Sequence, residues 1–180
     1  HPPNITDEKI VPIPIGFEER ERPSGDQFVL SRLYKDKKNF SEKKNKILLP
    51  WHNLTTNNKR SKLIDFLREL PFVDYQEEKL SFSEYLKLIN EYKFVIGLEG
   101  GGPDIHRNYE ALLVNTVPIN INNSIRNLFD FHGLPGIFIK DWKDITIERF
   151  KQLTQENYDF SKVESFLKTE HHISLVRSLK

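Results

Sequence analysis

The chain of 180 residues contains no cysteine and no methionine. Without thiols it can form neither a disulfide nor a cysteine-based metal site, which is compatible with a reducing compartment. No apolar run approaches the roughly 20 residues that a membrane helix requires, so no transmembrane segment is expected. An excess of one charge sign is also missing. Lys and Arg number 27 against 26 Asp and Glu, a net charge of +1, whereas nucleic-acid-binding domains carry a marked basic surplus. No nucleic-acid partner is therefore expected. His1-Pro2-Pro3 has neither the basic start nor the apolar core of a secretory leader, and the expected location is cytoplasmic. Because the chain starts at His1 and lacks methionine, it reads either as a piece of something longer or as a sequence missing residues.

What remains is 37% hydrophobic and 29% charged, enough for one good core. Residues 1–25 read as an irregular lead-in, since Pro2, Pro3, Pro12, Pro14 and Pro23 exclude helix. Within it, Ile10 to Ile15 is either a short edge strand or an extended link. A weak helical pattern over 26–38 precedes a lysine-rich stretch over 36–46, read as a solvated face because acidic residues interleave with the lysines. From Lys46 onward the pattern is regular. Strands are expected at Ile47–Trp51, Phe72–Tyr75, Phe94–Leu98, Val117–Ile121 and Gly136–Lys140. Helices are expected at Lys59–Leu70, at Glu84–Glu91 behind a Ser83 cap, at Ile105–Asn115, at Ser124–Phe131, and over 145–155 and 161–169. Such alternation predicts an α/β fold: a Rossmann-like parallel sheet of about five strands with helices on both faces. The expected organisation is a lead-in over 1–45, a nucleotide-binding domain over 46–169 and a tail over 170–180.

The residues that carry chemistry gather around 99–110. A triple glycine, Gly100, Gly101 and Gly102, separates an apolar strand from a helix and is followed by Asp104, His106, Arg107 and Glu110. Neither Gly-x-Gly-x-x-Gly nor Gly-Lys-Ser/Thr is present, so the dinucleotide fingerprint and the triphosphate P-loop are both excluded. A strand–glycine–helix turn still directs backbone N–H groups and a helix N-terminus at the carboxyl edge of the sheet, where phosphates bind. Arg107 falls in the first helical turn, where the macrodipole disfavours a cation unless an anion is present; the alternatives are a diphosphate or a salt bridge to Asp104 or Glu110. Glu110 shares its helix face and suits either ribose hydroxyls or solvent. His106 is either a proton shuttle or a structural histidine. A second loop on the same edge, Trp51 to Arg60, offers Asn53, Thr55, Thr56 and Arg60 as further phosphate-side groups, with N-capping an equal account of the threonines. His171-His172 reads as unremarkable, and no metal spacing is evident.

Glu99-Gly100-x-Gly102-x-Asp104-x-His106-Arg107-x-x-Glu110-Ala111-Leu112, followed by Pro118-Ile119, resembles the nucleotide-sugar signature of exostosin-like glycosyltransferases. More loosely it is similar to the donor-binding half of GT-B glycosyltransferases, and Lys9 to Gly16 resembles the crossover between the two GT-B halves. The resemblance spans roughly 8–145 and is specific over 99–119. It implies a metal-independent transferase acting on a nucleoside-diphosphate sugar, UDP- or GDP-linked, and a glycan acceptor, with no further cofactor. Arg107 would lie by the diphosphate and Glu110 by the ribose, with Asp104, His106 or Glu99 as the base, Asp104 foremost. The sequence departs from the signature at Asn115-Thr116, where a small residue usually precedes the Pro-Ile strand. Similar small transferases occur in large DNA viruses of algae, which the Lys/Asn/Ile-rich composition would suit. The rival readings are a non-catalytic nucleotide-sugar- or glycan-binding module, another phosphate-handling α/β enzyme, and a nucleic-acid protein using the lysine-rich stretch.

Overall fold

The computed structural model describes residues 11–53 and 60–177. Five parallel strands, β1 (Lys44–Leu49), β2 (Val73–Tyr75), β3 (Tyr92–Ile96), β4 (Val117–Ile121) and β5 (Ile137–Ile139), form one sheet in the order β2-β1-β3-β4-β5. The expected five-stranded α/β architecture is the one observed. Each interior strand shows why. Ile47 and Leu49, Phe94 and Ile96, and Val117 and Ile119 point to one face, while Leu48 and Val95 point to the other, and all are buried. A sheet apolar on both sides must be covered on both sides.

Helix α2 (Arg60–Arg68) carries the chain from β1 to β2 and packs Ile64 and Leu67 on the first face, where α6 (Ile147–Leu153) joins it. Helices α3 (Phe82–Asn90), α4 (His106–Leu113) and α5 (Ser124–His132) make the crossovers to β3, β4 and β5 on the second face. Right-handed crossovers dictate this division. The path from β1 runs one way to β2 and then back past β1 to β3, so the helices change face when the direction changes.

The local signals explain most boundaries. Helix α3 begins behind Ser81, not Ser83: Ser81 Oγ accepts from Glu84 N–H at 3.4 Å and Glu84 Oε2 accepts from Ser81 N–H at 3.1 Å, a reciprocal capping box. Helix α4 ends where Asn115 adopts φ 57°, a left-handed turn that Asn tolerates. Thr116 then enters β4 fully buried, its hydroxyl within 3.0 Å of the Ile89 and Tyr92 carbonyls. The departure at Asn115-Thr116 thus serves as a helix stop and a buried hydrogen-bonding post.

Three further segments complete the fold. The helical pattern read over 26–38 is α1 (Gln27–Lys35), whose Leu30 and Leu33 share a core with Leu48, Leu86 and Val95. Within the lysine-rich stretch, Lys43 is buried, with Nζ donating to Asn90 O (2.7 Å), Asn90 Oδ1 (3.0 Å) and Thr116 Oγ1 (3.2 Å). Beyond the short helix α7 (Val163–Phe166), the tail includes α8 (Thr169–Arg177), none of whose residues is fully buried.

Candidate functional site

The strand order reverses between β1 and β3, which leave the sheet as neighbours in opposite winding directions. In open α/β sheets the crevice beyond the carboxyl ends of two such strands is the favoured ligand position. Two loops flank it here: Pro50–Asn53 after β1 and Gly97–Ile105 after β3.

Arg107, in the first turn of α4, reaches across this crevice. Its Nη1 donates to His52 Nε2, its Nη2 to the Trp51 carbonyl at 3.3 Å, and its Nε to the Tyr85 hydroxyl at 2.9 Å. His52 is buried, and its Nδ1–H donates to Pro50 O at 2.5 Å, which leaves Nε2 as the acceptor. Burial first, and the Arg107 charge next, push its pKa down to about 2, so the ring is neutral. The Tyr85 hydroxyl in turn donates to Glu110 Oε2 at 3.0 Å. Glu110 is buried against α3, and desolvation raises its pKa against the opposing pull of Arg107 and Tyr85. Tyr85 therefore stands between Arg107 and Glu110, where a direct salt bridge was one of the expectations.

Arg60, the first residue of α2, is the second cation. It is buried and donates from Nε to the Glu99 carbonyl at 3.0 Å, from Nη2 to the same oxygen, and from Nη1 to the Asn53 carbonyl at 2.8 Å. Burial and the nearby Arg107 charge lower its pKa. Every partner of the two guanidiniums is a carbonyl, an imidazole or a hydroxyl; among the described residues none is a carboxylate. The Glu99 carboxylate is exposed and accepts from Asn123 Nδ2.

The glycines divide by physical role. A Cβ on Gly97, at the end of β3, would lie 2.4 Å from Asn120 Oδ1 and 3.2 Å from Asn108 Oδ1, so only glycine fits. Gly101 and Gly102 meet nothing within 4 Å of a built Cβ among the described residues and have no left-handed φ; no described neighbour requires glycine there. Next to them α4 starts without a side-chain cap and with no acidic residue in its first turn. Beneath the loop, Asn108 Nδ2, Asn108 Oδ1 and Asn120 Nδ2 are buried without a partner among the described residues.

Asp104 and His106 are engaged elsewhere. Asp104 Oδ1 accepts from the buried Tyr109 hydroxyl at 2.6 Å, and Oδ2 from the Ile15 N–H at 2.8 Å. His106 Nδ1–H donates to Gly16 O at 2.7 Å, and His132 Nε2–H to Pro12 O at 3.0 Å. Together they fasten residues 12–16, an extended strap, across the start of α4 and the end of α5. Behind the strap lies a groove of about 720 Å³ floored by Leu30, Tyr109 and Phe166 and walled by Lys168, Thr169 and His172.

Of the anticipated residues, the structure brings Arg60, Arg107, Glu99, Gly100 and the Asn53 carbonyl to one edge, buries Glu110 behind Tyr85, and ties Asp104 and His106 to the strap. Thr55 and Thr56 lie outside the described residues. His52 and Tyr85 were missed. His52 follows the β1 run directly, which was a usable signal; nothing in the sequence marks Tyr85. Among the described residues no group of three or more His, Asp or Glu is arranged to hold a metal ion, and no helix is long and apolar enough to cross a membrane. The chain matches no family model, and no curated protein is significantly similar to it.

Proposed function

We propose that the β1/β3 crevice binds the diphosphate of a nucleoside-diphosphate sugar and that the chain transfers the sugar to a hydroxyl of a glycan. One observation carries this: Arg107 bonds a neutral His52, the nearby Arg60 bonds the Glu99 and Asn53 carbonyls, and neither guanidinium has a carboxylate partner among the described residues. A buried Arg60 and a half-buried Arg107 set close together, with the Arg107 charge lowering the proton affinity of Arg60, are costly unless an anion completes the site. The uncapped start of α4 and the open Gly101-Gly102 backbone favour the same ligand, and the resemblance of 99–119 to exostosin-like transferases supplies the substrate class.

In this reading the leaving diphosphate gathers negative charge as the bond to the sugar breaks, and the guanidiniums and helix terminus are already oriented toward it. These groups supply the positive charge, so the mechanism is written without a metal. An acceptor hydroxyl must lose its proton. Asp104 has both oxygens occupied, which moves that role to the exposed Glu99 carboxylate.

The engagement of Asp104 and His106 by the strap favours a second reading, a nucleotide-sugar-binding module without transfer. A thermal-shift screen with UDP-, GDP-, CMP- and ADP-linked sugars tests binding, since a ligand of the folded state raises the melting temperature. Slow donor hydrolysis by the same protein distinguishes the transferase from the module. No shift with any of the four would refute both.

A further inference from the structure

Away from the crevice, three imidazoles form a triangle. His132 at the end of α5 and His171 and His172 on α8 have ring centroids 5.5, 5.6 and 5.1 Å apart. His171 Nε2 lies 3.4 Å from His132 Nδ1. The outer nitrogens are spoken for: His132 Nε2–H holds the strap at Pro12 O, and His172 Nε2–H donates to Phe166 O at 2.7 Å. His172 Nδ1 is buried without a partner. Phe166 packs edge-on against all three rings. These ring contacts tie α8, which buries no residue fully, to α5 and to Phe166.

We propose that the His132–His171–His172 triangle is an acid-sensitive clasp that holds α8 as a wall of the 720 Å³ groove and releases it when the histidines take up protons. Among the described residues no carboxylate bonds the three rings: the charges acting on His132 come from His171 and His172, and on His171 from His172. Glu18 and Glu19, which line the same groove, are paired with Arg22 at 3.3 and 3.7 Å. On α5, Asp130 is paired with Arg126 at 3.3 Å. On α7, Glu164 is paired with Lys168 at 2.9 Å. Glu170, in the first turn of α8, is exposed. The Lys162 ammonium, packed at Gly133 beside His132, is one more cation. The strap contributes a carbonyl and no ionisable side chain over 11–17. A first proton can be shared between His171 Nε2 and His132 Nδ1. A second, taken up at His172 Nδ1, finds no hydrogen-bond partner among the described residues, and two imidazolium rings about 5 Å apart repel.

Burial lowers the proton affinity of His132 and of His171 in the closed form. The released form regains the ordinary value of about 6.5. The released state therefore binds more protons, and closure weakens as pH falls below about 6.5. Each histidine kept neutral by closure shifts the balance by up to about thirtyfold between about pH 7.5 and about pH 5.0.

Hydrogen exchange of the full chain, corrected for intrinsic rates, tests the clasp. Protection of amides 169–177 should drop about tenfold or more over that pH change, while amides of β3 and β4 keep theirs. In H171Q, the pH-dependent drop should shrink by up to the roughly thirtyfold that this one histidine contributes; H171Q/H172Q should behave alike. Protection of α8 that is insensitive to pH, absent even at the higher pH, or equally pH-sensitive in these variants would overturn the proposal.

Discussion

Arg107 donates from Nη1 to Nε2 of His52, so a permanent cation lies against an imidazole already shut away from water. Unfolded His52 takes a proton near 6.5, whereas folded His52 refuses it until about 2. Between these values the unfolded chain binds the extra proton, and stability must fall as pH drops below 6.5. Chemical denaturation should show the advantage of the native chain over His52→Gln shrinking by about 2 kcal/mol between about pH 7.5 and about pH 5.0. A constant difference would mean that His52 takes up its proton as readily in the folded protein as in the unfolded one.

For ligand binding, the two arginines make the sharper prediction. Replacing Arg107 by Ala should weaken UDP or GDP binding by about 2 to 3 kcal/mol, the scale of a charge-assisted hydrogen bond. Arg60→Ala should do likewise, with an added loss of stability because the Glu99 and Asn53 carbonyls lose their donor. Unchanged affinity by calorimetry in both variants would place the anion elsewhere.

Asp104 makes the opposite demand. As the fastener between Tyr109 and Ile15, its replacement by Ala should cost about 2 to 3 kcal/mol of stability and loosen residues 12–16 in hydrogen exchange. A variant of native stability that had lost only transfer activity would restore Asp104 to the role of base.

Glycine substitutions separate packing from ligand approach. Gly97→Ala must push aside the Asn120 amide and should destabilise by about 1 to 3 kcal/mol. Gly101→Ala faces open space and should leave stability within about 0.5 kcal/mol while reducing nucleoside-diphosphate affinity. Melting curves and calorimetry on the pair read both effects; full affinity in Gly101→Ala would detach the glycine loop from the ligand.

The sheet was legible because its strands are continuous apolar runs such as Phe94-Val95-Ile96, and burial on both faces leaves no other reading. The Ser81-x-x-Glu84 capping box was equally legible in principle, and a nearer serine obscured it. The arginine-bearing edge followed from chain order alone. What escaped were the polar residues whose partners are distant in sequence: Lys43, which reaches Asn90 and Thr116, and Asp104, which reaches Ile15. A lysine among lysines looks solvated, and an acid beside a glycine loop looks catalytic. The three-dimensional neighbours show that the lysine is buried and that the acid accepts from Tyr109 and Ile15.

The two rim strands, Val73–Tyr75 and Ile137–Ile139, have three residues each, against five or six in the interior. Such brief borders give a foreign segment little backbone on which to zip. The same short borders that complete the sheet therefore guard concentrated solutions against fibrous stacking.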